Sequence, residues 1–376
     1  MKDTIIKGDG TSRTIKAPAT MPQTFEEWRN QLVAGTATMD IGLNPSGCTV
    51  VGTPQNKANL LSDSTKTALE LSQSDPTVND ALYALSQKGS PAEVRVYADN
   101  GTTVTMTKGG KKLTAKATSI GYATLYPTEL GDWTITFTYG GSQKSKVFTL
   151  EVIGIVTVYP FVAGATLQAT SWNDISIMSK FGVCDQFFNI GDTKNITVNG
   201  VNYPVQIIGF NHDTLAAGGK AGVTFQLVDC LKETANMNSS NTNVNGWRGS
   251  AMRTRMSTYL NQLNADLKAV IKNVNKVTSV GNNQSGLETT SDKLFLLSEI
   301  EIFGATTYSF AGEGKQYEYY AAGNSTIKKV NGSAHDWWER SPRRDGTNGF
   351  CRVGSDGGAS GSPASHTRGV SFGFCV

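Results

Sequence analysis

The chain has 376 residues, 40 of them glycine, and 17% of its side chains are charged, against about 25% in a typical soluble domain. That length points to two or three domains, and the glycine-rich, uncharged-polar composition suits strands, turns and loops rather than a helical bundle or coiled coil. A net charge of +3, from 34 basic and 31 acidic side chains without a basic block, argues against a nucleic-acid partner, and no apolar run reaches the about 18 residues of a membrane span.

Met1–Gly8 lacks the apolar stretch of a signal peptide, so export by that route is not expected. Residues 1–88 read as a small helical region. Thr24-Phe25-Glu26-Glu27 is a capping box, and Phe25, Trp28 and Leu32 follow it on one helical face. A second helix is expected over Lys57–Leu71. A third starts at Asp75-Pro76, with Val78, Leu82 and Leu85 on its buried face. Such short helices need a partner or copies of themselves to bury their apolar faces.

Gly89-Ser90-Pro91 marks a linker, after which the period changes to two. Trp133, Ile135, Phe137 and Tyr139 alternate with Thr134, Thr136 and Thr138, a half-buried strand. Gly140-Gly141 turns the chain so that Val147–Val152 runs back, and Lys108-Gly109-Gly110-Lys111 marks an earlier turn. Residues 91–153 thus form an all-β unit, with Ile155–Pro160 as a connector.

Residues 161–376 form the largest unit. Strands are expected around Phe188, Ile190, Ile196, Val198, Val205 and Ile207, with Asn199-Gly200 as a tight turn. Met252, Met256 and Leu260 share a face of one helix. Asn264 caps another, whose face is Leu267, Val270, Ile271 and Val274. Leu294–Phe303 reads as a buried strand, as do Phe350–Val353 and Val370–Phe374.

Signals for catalysis are sparse. His212, His335 and His366 lack metal-ligand spacing, and neither a serine elbow nor a phosphate loop is present. Asn211-His212-Asp213 reads as a polar turn rather than a cation site. Glu299 and Glu301 would share a strand face, a spacing open to paired-carboxylate chemistry but common by chance. Trp172-Asn173-Asp174 reads as a buried indole beside a helix cap at Asn173 or Asp174. Cys48, Cys184, Cys230, Cys351 and Cys375 form no C-x-x-C pair, which excludes a zinc ribbon. They read as buried thiols, with a Cys351–Cys375 disulfide left open.

The informative run is C-terminal: Trp337-Trp338-Glu339-Arg340-Ser341-Pro342, then Phe350-Cys351-Arg352-Val353, Asp356-Gly357 and Gly369–Phe374. Apolar positions alternate with small and polar stretches, the pattern of a rigid scaffold carrying tolerant loops. It resembles a C-type-lectin-fold domain of gut bacteria and their phages, marked by W-W-x-R-S-P, F-x-x-V, D-G and a final G-V-x-x-x-F. Target proteins of diversity-generating retroelements use the same fold. The resemblance extends back to Ser171-Trp172-Asn173-Asp174-Ile175 and takes in Met237-Asn238-Ser239-Ser240-Asn241. It implies a ligand-binding face made of Arg343, Arg344, Thr347, Asn348, Gly349, Arg352, Gly354, Ser360, Gly361, Ser362, Pro363, Ser365, His366 and Arg368. Trp337, Trp338, Phe350, Val353, Val370 and Phe372 would be its scaffold. The unit at 91–153 resembles immunoglobulin-like spacer modules. Ile5–Arg13 and Gly52–Asp63 are similar to tail-fibre or baseplate-attached proteins.

The expected fold class is therefore multidomain α+β: a helical attachment region, an immunoglobulin-like spacer and a C-type-lectin-like domain. The expected function is that of a phage tail-tip adhesin, not an enzyme, with neither cofactor nor metal. It would be made in the host cytoplasm and carried on the virion as a homotrimer. Its partners would be tail or baseplate proteins and a host-surface protein or glycan, reached in part through Arg343, Arg344, Arg352 and Arg368. Two other readings compete. One is a structural baseplate or decoration protein that binds another virion component. The other is an oxidase resembling formylglycine-generating enzymes, with Cys351 and Cys375 as its thiols.

Overall fold

The computed structural model describes residues 3–6, 12–15, 92–151 and 154–376. The helices expected from Thr24, Lys57 and Asp75, and Cys48, lie outside the described residues. Those described are mostly strands in several sheets, with five short α-helices. The chain divides into two units between Val158 and Tyr159.

In the first unit, β1 (Asp3–Ile6) and β2 (Ser12–Ile15) pair antiparallel. Then come β3 (Glu93–Tyr97), β4 (Thr103–Lys108), β5 (Lys111–Lys116), β6 (Tyr122–Leu125), β7 (Gly131–Tyr139), β8 (Ser142–Leu150) and β9 (Ile155–Val158). These seven make two sheets, ordered β6-β3-β9 and β5-β4-β7-β8. The alternation along β7 sets its faces: Trp133, Ile135 and Phe137 are buried with Val94, Val96, Val104 and Met106 in one apolar core. The two-residue turns at Gly109-Gly110 and Gly140-Gly141 have φ of +52°, +82°, +62° and +73°, the left-handed backbone a tight hairpin needs. The Asp99 carboxylate accepts hydrogen bonds from Gly140 N–H (3.0 Å) and Gly141 N–H (2.8 Å). One boundary moves: Ile155–Val158, expected as a connector, pairs parallel with β3. Lysines on the outer strands, Lys111, Lys112 and Lys116 on β5 and Lys144 and Lys146 on β8, discourage pairing with further chains.

The second unit opens with α1 (Trp172–Phe181), followed by β10 (Thr193–Val198), β11 (Val201–Phe210), β12 (Val223–Leu227), α2 (Ala251–Gln262) and α3 (Ala265–Val270). β13 (Val274–Gly281), β14 (Gln284–Asp292), β15 (Leu294–Phe295), α4 (Glu299–Phe303) and α5 (Glu318–Ala321) come next. β16 (Lys328–Val330), β17 (Ser333–His335), β18 (Trp337–Pro342), β19 (Gly349–Val353), β20 (Ala359–Pro363) and β21 (Gly373–Cys375) complete it. The main sheet runs β10-β11-β12-β21-β15. Trp172 of α1 packs edge-on against Phe225 and Phe374 of this sheet.

Several expectations shift here. Phe188 and Ile190 lie in a loop, not a strand. The cap of α1 is Ser171, whose Oγ accepts the Asp174 N–H at 3.0 Å, rather than Asn173 or Asp174. Val274 begins β13 instead of continuing α3, and the final strand starts only at Gly373. The apolar run Leu294–Phe303 breaks after Phe295, because Ser298 and Glu301 form a capping box that starts α4.

The interior of this unit is tied by charge. Arg340, fully buried on β18, forks onto both carboxylate oxygens of Glu301. Its other N–H groups reach Thr278 Oγ1 (3.1 Å) and the carbonyls of Leu296 (3.0 Å), Val277 (3.2 Å) and Glu313 (2.7 Å). Lys276 lies 2.7 Å from both Asp213 and Glu301. Burial pushes both carboxyls up, but the cations outweigh it: Lys276 holds Asp213, and Arg340 with Lys276 holds Glu301, below the usual carboxylate range.

Arg340→Lys keeps the charge and loses the fork. It leaves Glu301 and the carbonyls around it short of donors and is expected to cost about 1.5–3 kcal/mol, the range for hydrogen bonds to charged groups. Urea unfolding measures this, and a change near zero would remove the fork from its central place.

Candidate functional site

β18, β19 and β20 form an antiparallel sheet in which Trp338 faces Arg352, Pro342 faces Phe350 and Cys351 faces Gly361. Trp337, Trp338, Phe350, Val353, Val370 and Phe372 are all fully buried. Both indoles are satisfied: Trp337 Nε1–H donates to the Thr326 carbonyl (3.0 Å) and Trp338 Nε1–H to that of Ala235 (2.8 Å).

Loops leave this sheet at residues 343–348, 354–358 and 364–372. Arg344, Thr347, Asn348 and His366 are exposed. Arg343, Arg352, Ser360, Gly361, Pro363, Ser365 and Arg368 are half-buried. Gly349, Gly354 and Ser362 are buried, so three residues expected on the face belong to its frame. A Cβ on Gly349 would lie 2.5 Å from the Ser362 carbonyl oxygen, and one on Gly354 would lie 2.4 Å from Asp356 Oδ1. The close approach of β19 and β20 leaves no room for a side chain at Gly349.

The arginines also differ from expectation. Arg343 forks onto Asp345 at 2.8 and 2.6 Å, and that hydrogen bond holds the Asp345 carboxyl below its ordinary range. Asp336 takes Arg352 at 2.7 Å and Arg368 at 3.4 Å. Three of the four guanidinium groups are thus already held inside the chain. Arg344 is exposed and sits outside these pairs.

Two asparagines that sequence reasoning missed set the course of the loops. Asn243 is fully buried. Its Nδ2 donates to the carbonyls of Gly346 (2.9 Å), Gly349 (2.8 Å) and, more weakly, Arg343 (3.4 Å). Its Oδ1 accepts the Asn282 N–H at 2.9 Å. Gly281, at φ +72°, lets the β13–β14 turn press against it: a Cβ there would stand 1.8 Å from the Asn243 carbonyl oxygen. Asn241 Oδ1 accepts both the N–H (3.1 Å) and the hydroxyl (2.6 Å) of Ser365. The only sequence signal was the polar run Asn238–Asn243, whose partners in the C-terminal loops lie 100 or more residues away.

Beneath the sheet lie carboxylates. Glu299 accepts the N–H groups of Tyr308 (3.0 Å) and Ser309 (2.7 Å). Glu301 belongs to Arg340, so the two acids occupy a helical turn with separate partners, not one strand face. Glu313 accepts the Ser279 N–H at 2.8 Å and meets the Ser341 hydroxyl. Burial still pushes its carboxyl up to about 7. Burial likewise pushes Glu339 well above the carboxylate range.

Cys351 and Cys375 are free, fully buried and in different sheets, so the disulfide left open is not formed. Burial raises both thiols well above their ordinary value, which disfavours the thiolate that cysteine chemistry needs. Asp213, expected in a polar turn, is buried against Lys276, and His212 stacks on Tyr317 with ring centroids 3.9 Å apart. Among the described residues, no group of three or more acidic, histidine or cysteine side chains is placed to hold a metal ion.

A family model described as a domain of unknown function, DUF6273, matches residues 221–376. The match covers the whole face and both asparagines and lies inside the second unit. No curated protein matches the chain.

Asn243→Ala strands buried carbonyls. It is expected to cost about 1–3 kcal/mol and to speed amide exchange at Arg343 and Gly349, with little change in β7 and β8. Hydrogen-exchange mass spectrometry reads both regions at once.

The Glu313 carboxyl titrates near 7 in the folded chain against an ordinary 4.5, so folding takes up a proton. The stability this lends is full below about 4.5 and is lost as pH rises to about 7. Glu313→Gln imitates the protonated acid. Its unfolding midpoint should therefore gain on the parent between pH 5 and pH 8. An equal gap at both pH values would show that the carboxyl is not raised.

Proposed function

We propose that the chain is a receptor-binding protein of a phage tail tip. In this reading residues 1–88 attach it to the virion. The two-sheet unit ending at Val158 is an immunoglobulin-like spacer, and the second unit is a C-type-lectin-like domain that touches the host surface. One observation carries the reading. The loop at 343–348 is held by the buried Asn243, and that at 364–372 by Asn241 and by main-chain bonds to the buried Ala235 and Met237, while Arg344, Thr347, Asn348 and His366 stay exposed. Scaffolds that present tolerant side chains on fixed loops suit recognition better than chemistry.

With Arg343, Arg352 and Arg368 engaged by aspartates, recognition falls chiefly to one cation and to hydroxyl and amide groups. These fit a protein or glycan surface rich in hydrogen-bonding groups. Single sites of that kind are weak, and three copies on one fibre would raise avidity by effective concentration.

The test uses labelled full-length protein on a panel of gut bacterial strains, read by flow cytometry. The combined variant Arg344→Ala, Thr347→Ala, Asn348→Ala should lose about tenfold or more in binding, on the scale of a few lost hydrogen bonds, with its unfolding midpoint unchanged. Failure to bind any strain, together with capture by purified virions, would favour the structural baseplate reading.

A further inference from the structure

A concavity in the second unit has no lining residue from the C-terminal loops. It is a cleft of about 430 Å³ between the β10–β11 hairpin, the segment Leu231–Glu233 and one face of α2. That volume falls within the range of about 300–1,000 Å³ typical of small-molecule sites.

Its floor is Tyr259, almost wholly buried, with its ring stacked on the framework residue Phe372. Arg255 lies one turn earlier on α2 and lines the same cleft, close enough to the Tyr259 phenol for its charge to draw that group down against burial. Arg255 itself is exposed, so its guanidinium is open to a ligand. A second aromatic ring, Tyr203, also lines the cleft, and its hydroxyl accepts the Lys232 N–H at 3.3 Å. Lys232, Glu233 and Thr258 complete the polar lining.

This lining restricts the ligand. A purely apolar molecule would cover Arg255 and Lys232 without pairing them, at a cost in desolvation. Two cations against one carboxylate leave a single positive excess, which suits a monoanion better than a polyphosphate. The half-buried Tyr203 ring offers a flat surface to a saturated ring, and Thr258 and Glu233 can exchange hydrogen bonds with hydroxyl groups. A planar carboxylate is the anion that matches the guanidinium fork.

We propose that this cleft binds a carboxylate-bearing sugar unit, of the uronic or sialic acid class, with its carboxylate on Arg255 and its ring against a tyrosine face. The site is separate from the loop face and does not depend on the receptor-binding reading.

Saturation-transfer NMR on the full-length chain tests it, with glucuronate and N-acetylneuraminate as probes and glucose as the neutral control. Transfer to at least one acidic sugar is expected, exceeding that to glucose. Arg255→Ala should reduce it about fivefold or more, the scale of one charge-assisted hydrogen bond. Tyr203→Ala should reduce it as well. The combined Arg344, Thr347 and Asn348 variant should leave it intact. Absence of transfer, equal transfer to glucose, indifference to Arg255→Ala, or loss in the loop variant would each overturn the assignment.

Discussion

The fork between Arg340 and Glu301 is the contact on which the second unit turns. One side chain on β18 reaches a carboxylate on α4, a hydroxyl and a carbonyl on β13, a carbonyl beside β15 and another before α5. Four stretches of chain are thereby held to a single planar group. A buried ion pair seldom adds net stability over a well-packed apolar core. Its effect here is directional, because a guanidinium satisfies its donors in one arrangement only. Lys276 and Asp213 complete a balanced set of two cations and two anions. Arg340 also draws on the neighbouring Glu313 and Glu339, but burial outweighs it there and both carboxyls rise.

The surface follows from this interior. Trp337 and Trp338 precede Arg340 on the same strand and share its burial, so the fixed end of the sheet is locked before its loops begin. The polar side chains at the other end are then sorted by what the interior leaves for them. Aspartates claim Arg343, Arg352 and Arg368, and close strand packing claims Gly349. Few groups remain facing solvent, and they are mostly neutral. Under the proposed receptor-binding reading, recognition is then less dependent on salt than four free arginines would make it.

What the sequence revealed was local. The hairpins at Gly109-Gly110, Gly140-Gly141 and Asn199-Gly200 were legible because a two-residue turn carries its own conformational demand. The inward face of β7 was legible because alternation is a property of the strand alone. β9 was not, because its partner β3 is some sixty residues earlier and four residues hold no period of their own. The run from Leu294 misled because uninterrupted apolar residues look alike in a buried strand and a buried helix. The Ser298–Glu301 capping box was the signal that would have separated them. At the site, the buried aromatics could be read from their composition. The role of Asn243 could not, since nothing near it in sequence records that three distant carbonyls converge on its amide.

Asn243 grips the loop at 343–349 by main-chain carbonyls, and every amino acid supplies the same carbonyl. The path of the loop is thus uncoupled from the identity of its exposed residues. Shape is inherited from the scaffold, while chemistry at Arg344, Thr347 and Asn348 is free to drift. A chain built this way can change what it touches without relearning how to fold.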